Sequence, residues 1–121
     1  MRSALVRSFN VIAALLMAHF FTYILQCADG KRYYGHTSNL RRRLAEHDGG
    51  RVRFTAPRRP LRLLWFHVYP TRWEARKRER MLKNGRSQRK TIDALIASFP
   101  KAVLGALSKG DPHRVKPDAE L

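Results

Sequence analysis

The sequence predicts an α/β domain of the α+β kind: a small, mostly antiparallel three-stranded sheet flanked by helices. Three observations lead there. Two aromatic and β-branched stretches, near 20–27 and 32–36, are joined by Asp29-Gly30, a strong hairpin signal. A near-continuous apolar run near 61–69, closed by Pro70, supplies a third strand. The remaining apolar residues recur at helical spacing. With 121 residues, 44% of them hydrophobic and 28% charged, the chain has the size and composition of one folded domain.

The elements follow in chain order. Residues 1–19 read as an N-terminal extension. Arg2 and Arg7 precede an apolar run from Val11 to Ala18 that faintly resembles a signal peptide, but it is too short to span a bilayer. Met17 is the expected functional start, with 1–16 a translated upstream extension. Cys27 ends the first strand and is the sole cysteine, which excludes an intrachain disulfide or a cysteine-rich zinc site and fits a reducing cytoplasm. The hairpin admits two registers. A three-residue loop, Ala28-Asp29-Gly30, pairs Cys27 with Lys31 and puts Tyr23 and Tyr33 on one face, whereas a two-residue turn groups Tyr23 with Tyr34.

Thr37-Ser38-Asn39 offers N-caps for a helix through about His47, stopped by Asp48-Gly49-Gly50. Residues 51–59 read as a basic loop. The run at 61–69, with Leu63, Leu64, Trp65, Phe66 and Val68, looks like a buried central strand. A helix over 72–83 ends at Asn84-Gly85. Ser87 caps a further helix whose Ile92, Leu95, Ile96 and Phe99 form one apolar stripe. The domain is expected to span 20–99, with 100–121 a loose tail.

The charge is concentrated. The formal net charge is +16, and residues 31–90 hold 19 Lys/Arg against 4 Asp/Glu. A polyanion is the simplest partner for such a surface, since each phosphate contact releases a condensed counterion. Arg41, Arg51, Arg53, Arg58 and Arg59 are the expected nucleic-acid contacts, and no membrane association is expected.

Two side chains stand out by position. Leu40, Arg43, Leu44 and His47 share one helical stripe, so Arg43 alone among three consecutive arginines lies on the apolar face, while Arg41, Arg42 and Glu46 point elsewhere. A cation so placed implies a ligand anion or a buried carboxylate. In the helix over 72–83, Ala75, Glu79 and Leu82 share the inward face, which turns a carboxylate away from the surrounding basic residues. The plain reading is an i,i+4 ion pair with Lys83; the functional one is a divalent-cation ligand.

The pattern Thr22-Tyr23-Ile24-Leu25, Asp29-Gly30, Tyr33-Tyr34-Gly35, His36-Thr37-Ser38-Asn39-Leu40, Arg42-Arg43-Leu44 and Glu46-His47, followed by Arg59-Pro60, Glu74-Ala75, Glu79 and Leu82-Lys83-Asn84, resembles the GIY-YIG endonuclease superfamily. It looks most like the small stand-alone bacterial members, related to the N-terminal module of the excision-repair nuclease. The resemblance covers roughly Phe20 to Ile96. It implies that Tyr23 and Tyr33 are the tyrosines of the two motifs, which favours the three-residue loop, and that Gly35 closes the second motif in a structural role. Arg43 and His47 then match the family's arginine and histidine, and Glu79 its metal ligand. Phe21, Thr22 and Tyr34 depart from the motifs' usual residues at positions that are mainly structural.

The implied activity is metal-dependent endonucleolytic hydrolysis of phosphodiesters, of DNA more than RNA, in repair or processing. Glu79 would bind a single Mg²⁺ or Mn²⁺, Tyr23 would orient or deprotonate water with a lowered pKa, and Arg43 would neutralise the phosphate. The rival reading is a non-catalytic nucleic-acid-binding module that keeps the fold.

Overall fold

A computed structural model describes residues 19–84 and 89–104. The expected extension through Ala18, the Ser87 cap and the tail from 105 lie outside these residues. Strands β1 (Phe20–Gln26), β2 (Arg32–Thr37) and β3 (Arg62–Tyr69) form one antiparallel sheet in the order β2-β1-β3. Helices α1 (Leu40–Asp48), α2 (Arg72–Lys83) and α3 (Arg89–Ser98) flank it.

The hairpin takes the three-residue loop. Cys27 N donates to Lys31 O at 2.8 Å, Gln26 pairs with Arg32, and Gly30 sits at φ +88°, the left-handed region that glycine enters without strain. Tyr23 consequently pairs with Gly35 and Leu25 with Tyr33, which places both tyrosines on one face.

β1, not β3, is the central strand, contrary to the sequence expectation. The continuous apolar run in β3 arises because both of its faces are covered: Leu63, Leu64, Trp65 and Phe66 are all buried. Facial burial leaves the same sequence signature whether or not both ladder edges are paired.

Alternation along β1 divides the core. Phe21, Tyr23 and Leu25 pack with Leu40 and Leu44 of α1 and with Leu63 and Phe66. Ile24 packs on the other side with Leu64, Trp65, Leu82 of α2 and Ile92 of α3. Thr22, buried on that second side, donates its hydroxyl to the Ala75 carbonyl at 2.8 Å, fixing α2 against the strand.

Local chemistry sets the helix ends. Asn39 caps α1 by accepting from Arg42 N at 3.0 Å. Thr71 caps α2 by accepting from Glu74 N at 3.2 Å, and its hydroxyl donates to Glu74 Oε2 at 3.0 Å. Packing continues past the boundary expected at 99: residues 101–104 are helical, and Val103 and Leu104 lie against the first core cluster with Phe99. Their apolar side chains extend the Phe99 contact by another turn.

Candidate active site

The predicted residues converge on β2 and its two flanking helices. Tyr23 is 0% exposed, and its ring lies across the backbone at Gly35. A Cβ at Gly35 would fall 2.6 Å from Tyr23 Oη and 2.7 Å from Cζ, so the absence of a side chain there makes room for the ring. α1 brings its apolar stripe onto this face, with Leu40, Leu44 and His47 buried and Arg43 half-buried.

A hydrogen-bonded chain runs inward from Arg43. Its Nε donates to Tyr23 Oη at 3.4 Å, and Tyr23 Oη lies 2.8 Å from His47 Nε2. His47 Nδ1 lies 2.8 Å from Thr55 Oγ1, and Thr55 in turn donates to the Val52 carbonyl at 3.4 Å. These partners fix the directions. Because the Thr55 proton goes to a carbonyl, its oxygen accepts from His47 Nδ1–H, leaving Nε2 to accept from the Tyr23 hydroxyl. Tyr33 packs edge-on to His47 with ring centroids 4.8 Å apart and keeps part of its ring in solvent.

Tyr23 cannot ionise readily here. Burial pushes its phenol well above the usual value, and the bond from Arg43 offsets only part of this. The protein's own groups do not produce the lowered pKa expected from the basic surroundings, because desolvation outweighs the neighbouring cation. Arg43 moves the other way from the effect of its burial: bonds to Tyr23 and Glu46 outweigh desolvation and strengthen its positive charge.

Arg43 was expected to meet a ligand anion or a buried carboxylate; its partner here is instead the partly exposed Glu46. Arg43 Nη1 lies 2.9 Å from Glu46 Oε1, one helical turn away. Glu46 was expected to point elsewhere; the reach of the arginine brings the two heads together at the half-exposed margin of the stripe.

Glu79 approaches from the opposite face of the sheet. Its carboxylate is bonded to His36 Nδ1, and the second oxygen lies 2.6 Å from Lys83 Nζ. Burial alone would raise its pKa, but Lys83 and His36 overcome that and hold it below the usual carboxylate range. Glu79 is distant enough from Tyr23 to make no direct bond, yet its charge adds to the upward push on that phenol. The Lys83 pair foreseen from spacing is present, with His36 as an additional partner.

Three residues of this arrangement escaped sequence reasoning. Thr55 sat in a loop without periodicity; its signal was Val52 and Thr55, uncharged and three apart amid arginines, and both are buried. His36 follows Gly35 and so faces away from Tyr33, toward α2, which strand alternation could have assigned. Glu46 was misdirected by considering Cα positions without side-chain reach.

The basic residues divide. Arg41, Arg51 and Arg53 are exposed. Arg58 instead bonds Asp29 at 3.1 Å and the Phe54 carbonyl at 2.6 Å, with its guanidinium 4.1 Å from the Phe54 ring centroid. Arg59 donates to the carbonyls of Ala56 at 2.9 Å and Asp48 at 3.1 Å, tying the loop to the end of α1. Both are structural braces as well as charges, a role their sequence position did not reveal.

The family profile described as the GIY-YIG catalytic domain matches residues 19–92, most of the described structure. The chain belongs to the GIY-YIG family. It is thus a member of a nuclease family whose enzymes act on nucleic acid and generally depend on a divalent metal. A UPF0213 protein of Listeria monocytogenes is 42% identical over 79 residues, covering 64% of this chain and 84% of the relative. One of Nitratidesulfovibrio vulgaris is 38% identical over 89 residues, 73% of this chain and 81% of the relative. The solution NMR structure of a UPF0213 protein from Bacillus halodurans is 31% identical, covers 65% of this chain and 83% of that one, and superposes with a TM-score of 0.43.

Among the described residues there is no cluster of three or more His, Cys, Asp or Glu side chains that could hold an ion. A single carboxylate can suffice for Mg²⁺ or Mn²⁺, which keep several waters and share their shell with substrate phosphate. Glu79 is held deprotonated, but its side chain is only 15% exposed and its two oxygens are taken by His36 and Lys83, so a cation there would have to displace one of them. No described helix is long and apolar enough to cross a membrane.

Proposed function

We propose that this GIY-YIG domain is a metal-dependent endonuclease that hydrolyses phosphodiester bonds in DNA, in cytoplasmic repair or processing. The observation that carries the reading is the pairing of a permanently charged Arg43, backed by the Tyr23–His47–Thr55 chain, with an ionised Glu79 reaching β2 from the other face. One group suits a phosphate and the other a cation.

Arg43 binds the scissile phosphate. To do so it exchanges Glu46 for a phosphate oxygen, while Tyr23 Oη holds Nε and limits its rotation. Tyr23 stays neutral and donates to His47, so it is a positioning residue rather than a base. Tyr33, partly open to solvent beside Arg43, is the tyrosine placed to orient water. Glu79 would hold Mg²⁺ or Mn²⁺ through the oxygen that now pairs with Lys83, and the cation would supply charge stabilisation for the phosphate and leaving oxygen. His36 Nδ1–H donates the hydrogen bond that aims the Glu79 carboxylate, the kind of outer partner that metal ligands commonly have.

The test is single-turnover cleavage of single-stranded, duplex, flap and branched DNA, with and without Mg²⁺ or Mn²⁺, by wild type, Glu79→Gln and Glu74→Gln. Cleavage is expected to need the metal, to disappear in Glu79→Gln with binding preserved, and to persist in Glu74→Gln. Cleavage by Glu79→Gln at the wild-type rate would remove the metal role from Glu79. Binding without cleavage of any substrate by the wild type would leave a nucleic-acid-binding module.

A further inference from the structure

α2 has a second, outward face that the site above does not use. Ala75 and Leu82 are buried on its inner side. Diametrically opposite, Trp73, Arg76, Lys77 and Arg80 fall at i, i+3, i+4 and i+7, one stripe along the helix. All four are exposed, and Trp73 is 67% exposed, the largest exposure among the described large hydrophobic residues. A tryptophan so far in solvent leaves a large apolar ring unburied. Among the described residues Arg76 and Arg80 have no ion-pair partner, and Lys77 spends its charge over the Trp73 ring, 4.9 Å from the centroid.

We propose that this face is a binding surface for single-stranded nucleic acid, with an unpaired base stacked on Trp73 and successive phosphates held by Arg76, Lys77 and Arg80. Two observations select that occupant. The helix carries six basic residues against two acidic ones, so its partner is a polyanion. The stripe begins with an open indole, which a base can cover and a duplex backbone cannot, since paired bases hide their faces in the stack. Arginines one turn apart then follow a flexible phosphate chain. The face lies on the same helix as Glu79, about a third of a turn around it, so a strand leaving the catalytic edge of β2 has a direct track over α2. The inference rests on the nucleic-acid reading above only in the identity of the polymer, not on cleavage.

The chain's two tryptophans make the test direct, because Trp65 is 4% exposed while Trp73 is open. Full-length protein is titrated in EDTA, where no cleavage occurs, with an oligothymidylate of about 20 nucleotides, a size that covers one or two such sites, and with a blunt duplex of equal charge. The oligothymidylate is expected to quench the exposed tryptophan and the duplex to leave it unquenched. Trp73→Ala should lose about tenfold in affinity for the single strand, with Trp73→Phe retaining most of it and duplex affinity unchanged. Replacing Arg76, Lys77 and Arg80 by Gln should lower the salt slope for the single strand. Circular dichroism melting of each variant establishes that its fold is intact.

The proposal fails if Trp73→Ala binds oligothymidylate within twofold of wild type. It also fails if duplex and single strand quench equally, if only phosphatidylserine vesicles quench, or if emission shifts with protein concentration alone, the sign of a second copy on this face. A wild type that cleaves DNA while Trp73→Ala binds normally would overturn this surface and keep the enzyme. Trp73-dependent binding without any cleavage would do the reverse.

Discussion

Thr55 shows how much one buried hydroxyl can set. By accepting from His47 Nδ1 it selects the tautomer whose Nε2 receives the Tyr23 proton. Thr55→Val removes the acceptor in nearly the same volume, while Thr55→Ser keeps it. The valine variant is expected to cleave about tenfold more slowly, the order of one missing positioning bond, and to show a mixed His47 tautomer in imidazole nitrogen NMR shifts. Serine should restore both; an unchanged His47 spectrum in the valine variant would leave Thr55 as packing only. Tyr23 gives a second test through its raised pKa. Below about pH 10 the phenol is protonated in folded and unfolded chains alike; above that the unfolded phenol ionises first, so the stability it supports is lost as pH climbs toward the higher folded value. Melting temperatures from about pH 9 to about pH 12 should therefore fall less steeply for Tyr23→Phe than for wild type. Gly35→Ala forces a Cβ into the Tyr23 ring and should destabilise by about 1–3 kcal/mol, read by thermal unfolding. These residues were legible to different degrees. Arg43, His47 and Glu79 were marked by a polar group on an apolar stripe, whereas Thr55 lay where no period exists to be broken.

Among the elements, α2 is joined to the sheet by polar as well as apolar contacts. Thr22 holds the Ala75 carbonyl, and Glu79 joins His36 of β2 to Lys83 of the same helix. Because the folded Glu79 pKa is lowered, the stability it contributes is present above about pH 4.3 and lost as pH falls through the folded value. Glu79→Gln should accordingly flatten the acid limb of the stability curve while Glu74→Gln leaves it steep; superimposable curves would mean that the His36 and Lys83 contacts carry no net stability. Element boundaries were readable because turns and caps are local chemistry: Asp29-Gly30 and Asn39 each act on their immediate neighbours. Strand order was not. The sequence of β3 records which of its faces are covered, and two covered faces look alike at the edge and in the centre of a sheet. Nor did spacing alone disclose the Arg43–Glu46 pair, since the arginine side chain is long enough to turn back along its own helix.

For the molecule as a whole, the concentrated positive charge predicts binding that weakens steeply with salt. Neutralising Arg51 and Arg53, both exposed, should lower the salt slope by about 0.9 for each phosphate that is no longer neutralised, across sequences alike. Filter binding at several ionic strengths checks this, and an unchanged slope would place the polyanion elsewhere. Arg59 belongs to a different test: Arg59→Ala cuts the loop from the end of α1 and should lower the melting temperature as well as affinity. The separation of Arg43 and Glu79 onto opposite faces of β2 has a consequence for synthesis. A ribosome releases β1, β2 and α1 before α2, so Tyr23, Arg43 and His47 leave the exit tunnel ahead of the Glu79 carboxylate. On the proposed mechanism, such a nascent chain lacks the carboxylate that cleavage needs. Cleavage on that mechanism waits for completed folding, because Glu79 is in place only when α2 docks beneath Thr22.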